Sequence, residues 1–187
     1  VGTYADSNAL SQCISCVAGK YNDVAGSDAE ADCIKCGVGK YSAVVGSFAE
    51  SNCISCVAGK YIDVEGSDAE ADCIDCAAGS ITNTGASSGA SECNTCAAGT
   101  YTTDPTGECI SCIAGKYVEA TGSDEETDCI ACAVGKYSAV VGSFAESDCI
   151  SCVAGKYVEV TGSDEETDCI ECGVGKYSAV VGSFAES

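Results

Sequence analysis

Cysteine sets the terms on which this chain can fold. Eighteen of its 187 residues are cysteine, and all of them fall in C-x-x-C pairs. The first members are Cys13, Cys33, Cys53, Cys73, Cys93, Cys109, Cys129, Cys149 and Cys169, each followed three places on by its companion. The interval is 20 residues, except after Cys93, where it is 16. A fixed period of this length marks a tandem array, in which each repeat is one small unit that leans on its neighbours.

The rest of the composition agrees. There are 9 Tyr and 3 Phe but no Trp and no Met, and 22 glycines interrupt the apolar runs. Such a chain buries little surface at any one centre, so covalent links must help to stabilise it. The predicted fold class is therefore small and disulfide-rich. It is an elongated tandem array of ~20-residue Cys-rich modules with short β segments, single helical turns and no large core.

The predicted modules span residues 16–33, 36–53, 56–73, 76–93, 96–109, 112–129, 132–149 and 152–169, with partial modules at 1–13 and 172–187. Both ends fall inside a module, so the expectation is one continuous repeat array that forms part of a longer one. A second period of 40 residues lies over the first. One module type reads "VAGKYVEVTGSDEETDC" and is acidic; the other reads "VGKYSAVVGSFAES" and is nearly uncharged. From Cys16 the order is acidic, neutral, acidic, two divergent modules, then acidic, neutral, acidic, neutral. Residues 77–108 hold the divergent pair, rich in Ser, Thr, Asn and Gly, and nothing in the sequence explains why the alternation slips there.

Within residues 16–33, Gly19 suits a tight turn with positive φ. Tyr21 to Ala25 forms a strand-like run. In "YIDVE" (61–65) and "YVEVT" (157–161) apolar and polar residues alternate with period two, which predicts a half-exposed strand. Ser27 followed by Glu30 is a capping-box pattern, repeated at Ser47/Glu50, Ser67/Glu70, Ser123/Glu126, Ser143/Glu146, Ser163/Glu166 and Ser183/Glu186. It predicts one helical turn ending at the next cysteine. An isoleucine sits inside nearly every C-x-x-C (Ile14, Ile34, Ile54, Ile74, Ile110, Ile130, Ile150, Ile170), with Asn94 the exception. These isoleucines are predicted to pack one module on the next.

The spacing C-x2-C-x16-C-x2-C also fits a zinc site. Against zinc, the pairs run on without punctuation into four-cysteine groups, and the chain lacks His. Disulfides fit better and imply an oxidising compartment, so the expected location is extracellular or at the cell surface. Two registers are possible. One closes each module with its own bond: Cys16–Cys33, Cys36–Cys53, Cys56–Cys73, Cys76–Cys93, Cys96–Cys109, Cys112–Cys129, Cys132–Cys149 and Cys152–Cys169. Cys13 and Cys172 then pair outside this segment. The other crosses modules, as Cys13–Cys33 with Cys16–Cys36. The first is favoured because the short Cys96–Cys109 segment remains a self-contained loop after losing four residues.

The pattern CxxCxxGxY…G…DC resembles the ephrin-receptor-like cysteine-rich repeats, which are similar in style to the single-disulfide modules of tumour-necrosis-factor receptors. The resemblance covers essentially the whole chain at its Cys, Gly and Tyr positions. It implies one bond per module and an elongated extracellular architecture. The chain departs from the family in having a single proline, Pro105, and in placing Ile81 where Tyr is usual. The near-identical copies look like those of protist or algal surface or fibre proteins.

Net charge is −21, from 29 acids against 8 lysines. That excludes non-specific binding to nucleic acid or to anionic membrane, and no stretch is long enough for a membrane span. Without His, and with the cysteines bonded, no nucleophile has a base, so no enzymatic activity and no cofactor are expected. Calcium is a secondary possibility at "GSDEETD" (122–128 and 162–168), whose carboxylates are hard oxygen ligands. Helix capping and solubility account for the same residues. The leading functional expectation is a structural component of an extracellular rod, filament or surface coat that self-associates. The alternative is a receptor or adhesion ectodomain binding a protein or glycan. The predicted contact residues are Tyr41, Val44, Val45, Phe48, Tyr137, Val140, Val141 and Phe144 in the neutral modules.

Overall fold

The computed structural model describes residues 1–5 and 12–183. The chain forms two compact units. One comprises Val1–Ala77, Ile81–Asn94 and Pro105–Gly107; the other Ala78–Ser80, Thr95–Asp104 and Glu108–Ser187. Each is built from the same small module.

A module begins at a cysteine. In residues 16–33, Cys16 leads into a tight turn in which the Lys20 N–H donates to the Val17 carbonyl at 3.2 Å. Gly19 takes φ +80° there. A two-residue strand, Lys20–Tyr21, follows. A loop then runs to a single 3-10 turn at Glu30–Asp32, and Cys33 closes it. The next strand, Ile34–Lys35, returns antiparallel to the first, with Tyr21 opposite Ile34. The same Tyr–Ile pairing recurs as Tyr41↔Ile54, Tyr61↔Ile74, Tyr117↔Ile130 and Tyr137↔Ile150. The fold is thus a series of minimal two-stranded ribbons and lone 3-10 turns.

Each loop is closed covalently. The bonds are Cys16–Cys33, Cys36–Cys53, Cys56–Cys73, Cys76–Cys93, Cys96–Cys109, Cys112–Cys129, Cys132–Cys149 and Cys152–Cys169. Cys13 and Cys172 are unbonded, Cys13 exposed and Cys172 partly covered. Closing a loop of this size constrains the unfolded chain by about 3 kcal/mol.

Three local expectations are corrected. First, the strand stops at Tyr21 and its equivalents. Ile62 is buried, but Val64, two places on, is 59% exposed, so the alternation in "YIDVE" marks a turn away from the core rather than a strand. Second, the junction isoleucines are not buried joints. Ile34, Ile54 and Ile150 lie on the open side of their ribbons, 46–53% exposed. Third, the Ser/Glu pairs do not form capping boxes. The turn starts at Glu30, so Ser27 is too far back to cap it. Ser27 Oγ donates instead to the Val24 carbonyl at 3.2 Å. The capping acceptor is the residue just before the cysteine. Asp32 Oδ2 receives the N–H groups of Asp28 and Ala29 at 3.1 and 3.2 Å. Asn52 Oδ1 serves Phe48 and Ala49 in the same way. A short side chain reaching back to its own loop is what Asp and Asn do best. Glu186 lies outside the described residues.

Modules are joined by backbone. Gly19 N–H donates to the Ser42 carbonyl at 2.7 Å, Asn22 N–H to Ser47 at 3.0 Å, and Gly46 N–H to Cys16 at 2.8 Å. The second unit repeats this ladder: Gly115 to Ser138 at 2.7 Å, Val118 to Ser143 at 3.2 Å, and Gly142 to Cys112 at 2.7 Å. Parallel bridges such as Tyr21↔Ser47 and Tyr117↔Ser143 sit inside it. Main-chain donors and acceptors that must be paired are thereby spent between modules. The side-chain joint is tyrosine. Tyr41 packs on Cys56, Ile62 and Cys73 of the next module, Tyr101 on Cys112, Val118 and Cys129, and Tyr137 on Cys152, Val158 and Cys169.

Each module also reaches the next but one. A Cβ on Gly19 would collide with the carbonyl oxygen of Gly66, and one on Gly115 with that of Gly162. Only glycine allows two backbones so close.

Candidate functional surface

The neutral and acidic modules share one backbone and bury opposite things. In three of the four acidic modules the residue after the ribbon tyrosine is apolar and buried: Ile62, Val118 or Val158; in residues 16–33 it is Asn22, buried with its side-chain amide donating to the Thr3 carbonyl at 3.2 Å. In the neutral modules it is Ser42 or Ser138, both 0% exposed. Ser42 Oγ meets Ser47 Oγ at 3.0 Å, and Ser47 Oγ donates to the Val44 carbonyl at 2.9 Å. Ser138 and Ser143 repeat the pair at 3.1 Å, with Ser143 Oγ donating to Val140 at 3.0 Å. Each buried hydroxyl is therefore paired, as burial demands.

The apolar side chains of the neutral modules lie outside. Val44, Val45 and Phe48 are exposed, as are Val140, Val141 and Phe144, at 57–63%. Val180 and Val181 are exposed at the same places in the last module. The acidic loop at 62–68 exposes one large apolar residue, Val64, where the neutral loop exposes three. The structure thus divides the eight contact candidates. Val44, Val45, Phe48, Val140, Val141 and Phe144 face solvent, whereas Tyr41 and Tyr137 are half-buried joints between modules.

The charges are disposed differently in the two kinds of module. Lys40 pairs with Glu50 at 2.9 Å, and Lys136 with Glu146 at 3.2 Å. These pairs leave the surface of residues 36–53 without net charge, since Lys40 and Glu50 are its only ionised side chains. Residues 112–129 and 152–169 carry one lysine against five carboxylates each.

The acidic modules hold shallow grooves. One of 530 Å³ is lined by Ile62, Val64, Asp63, Glu65, Asp68 and Asp72. Others of 470 and 540 Å³ lie at residues 117–130 and 158–170. Their carboxylates are dispersed. Asp128 and Asp168 cap turns, Glu126 pairs with Lys116 at 3.6 Å, and Glu125 and Glu165 accept from Thr127 and Thr167. Among the described residues no three acidic, Cys or His side chains gather as metal ligands. The divergent module at 76–93 lacks the 3-10 turn. Asn83 holds its loop instead, donating to Ser91 Oγ at 2.9 Å and accepting the Ser91 N–H at 3.2 Å. Among the described residues no helix is long and apolar enough to cross a membrane.

The inverted burial of the neutral modules is the feature that sequence reading missed. Its signal was present: Ser at the position where three of the four acidic copies carry Ile or Val.

The family model for tyrosine-protein kinase ephrin type A/B receptor-like modules matches residues 2–53, 99–149 and 122–169. No curated protein matches the chain.

Proposed function

Because the chain belongs to the ephrin type A/B receptor-like family of cysteine-rich tandem repeats, whose modules are non-catalytic and of ectodomain type, we propose that it is a structural component of an extracellular rod, filament or surface coat that assembles through its neutral modules. The disulfides and the family both support an extracellular location.

One observation carries the assembly reading: the neutral modules bury hydroxyls and expose Val and Phe. Stability alone would favour the reverse, since each large apolar side chain gains about 1.5–3 kcal/mol from burial. The acidic copies show that the same backbone accepts an apolar residue inside. An exposed apolar patch that recurs in copy after copy suits a periodic contact. Family membership also favours a second reading, an ectodomain that binds a protein or glycan partner.

The two readings separate on the purified oxidised chain. Under the structural reading, negative-stain microscopy shows periodic assemblies, and Phe144→Asp abolishes them while the disulfide map and circular dichroism stay as in the parent. A parent that remains dispersed at every concentration overturns assembly and leaves the ectodomain reading.

A further inference from the structure

Contact with the next module but one sorts the surface. In the second unit the close glycine approaches run Gly99 to Gly142 and Gly135 to Gly182, and separately Gly79 to Gly122 and Gly115 to Gly162. The first series joins residues 95–104, 132–149 and 172–183; the second joins 112–129 and 152–169. Neutral modules therefore stack on neutral ones, and acidic on acidic. A 40-residue chemical period on a backbone that meets itself every second module yields one apolar stack and one charged stack.

The apolar stack presents Val140, Val141, Phe144, Val180 and Val181. Residues 132–149 carry Lys136 against Glu146 and Asp148, and Lys136 is already paired. The adjacent stack carries five carboxylates per module. We propose that the apolar stack of the second unit docks on the same stack of a second copy of this chain, in a two-fold, face-to-face contact.

The charge distribution selects this occupant. A chain of net charge −21 repels its own copies. The neutral stack is where a copy can approach while bringing the fewest carboxylates together. Two-fold docking sets the same patch against itself, which buries both apolar surfaces in one contact. Two lysines of this unit are engaged within their own modules: Lys116 with Glu126 and Lys136 with Glu146. The inference rests on the self-association reading above and adds partner and face to it.

The test is the mass of the oxidised chain by sedimentation and light scattering, with Cys13→Ser and Cys172→Ser to prevent intermolecular disulfides. The expected mass rises with concentration above that of one chain. Raising salt from about 50 to about 500 mM tightens the pair severalfold, because the Debye length shrinks and the acidic stacks repel less. Val140→Asp with Val141→Asp yields single chains, with an unchanged disulfide map as the check on folding. Val160→Asp, an equally exposed site in the acidic stack, leaves the pair intact. A single chain under all conditions overturns both this docking and the self-association reading. Pairing that persists in the Val140/Val141 variant, or uptake of neutral phosphatidylcholine vesicles in place of pairing, overturns the assigned face and partner.

Discussion

Residues 132–149 and 152–169 are consecutive, equal in length and closed by equivalent disulfides. Yet one is turned inside out relative to the other. The first keeps a Ser138–Ser143 hydroxyl pair within and Val140, Val141 and Phe144 without. The second keeps Val158 against its disulfide and carries acids outside. The difference teaches that a module this small does not need an apolar centre to keep its shape. The disulfide and the backbone ladder fix the conformation of both, and a tyrosine from the preceding module, Tyr137, packs on the second. The remaining side chains are then available for solubility or for contact.

The largest expected effect breaks the common part. Replacing Cys132 and Cys149 with alanine costs about 2–5 kcal/mol. Hydrogen exchange then shows wider opening at 132–149 than the matching Cys152/Cys169 replacement produces at 152–169. The neutral module has no buried Val to fall back on; equal opening in the two would remove that distinction.

Exchanging the interiors sharpens the comparison. Ile62→Ser destabilises by about 2–3 kcal/mol, read from urea unfolding, since it removes a buried apolar side chain. Ser42→Val stabilises by up to about 1 kcal/mol. The side chain that replaces the hydroxyl fits in the Val118 and Val158 copies, and Ser47 Oγ keeps its bond to Val44. A loss from Ser42→Val would mean that the hydroxyl pair is itself a stabilising feature.

Exchanging the exteriors should have little effect on folding. Phe144→Asp changes unfolding free energy by less than about 0.5 kcal/mol, as expected for an exposed site, while removing the proposed contact between chains. The smallest effect belongs to Lys40→Ala. Its ion pair with Glu50 is largely solvated, so thermal unfolding shifts by no more than a surface pair's worth, under about 0.5 kcal/mol.

Much of the architecture was legible because cysteine and glycine carry their constraints locally. The 20-residue beat announced small disulfide-closed modules, and Gly19 announced a positive-φ turn. The details that failed depend on which atoms meet. Ser27 and Glu30 have the spacing of a capping box, but a turn that starts two residues later hands the cap to Asp32. Ile34 looks like a core residue by composition, yet its ribbon faces outward and Tyr41 makes the joint instead. Val44, Val45 and Phe48 were grouped with Tyr41 as one surface, and the structure draws Tyr41 inward.

The amino-acid sequence alone determined the modular, disulfide-rich class and the alternation of acidic and neutral copies, because both are written in residue identity and period. Tertiary structure alone decided that each copy meets the next but one. That contact depends on the rotation from module to module, set by the backbone ladder and the close glycine approaches, and no local pattern encodes it. It converts a period along the chain into two chemically distinct stacks in space.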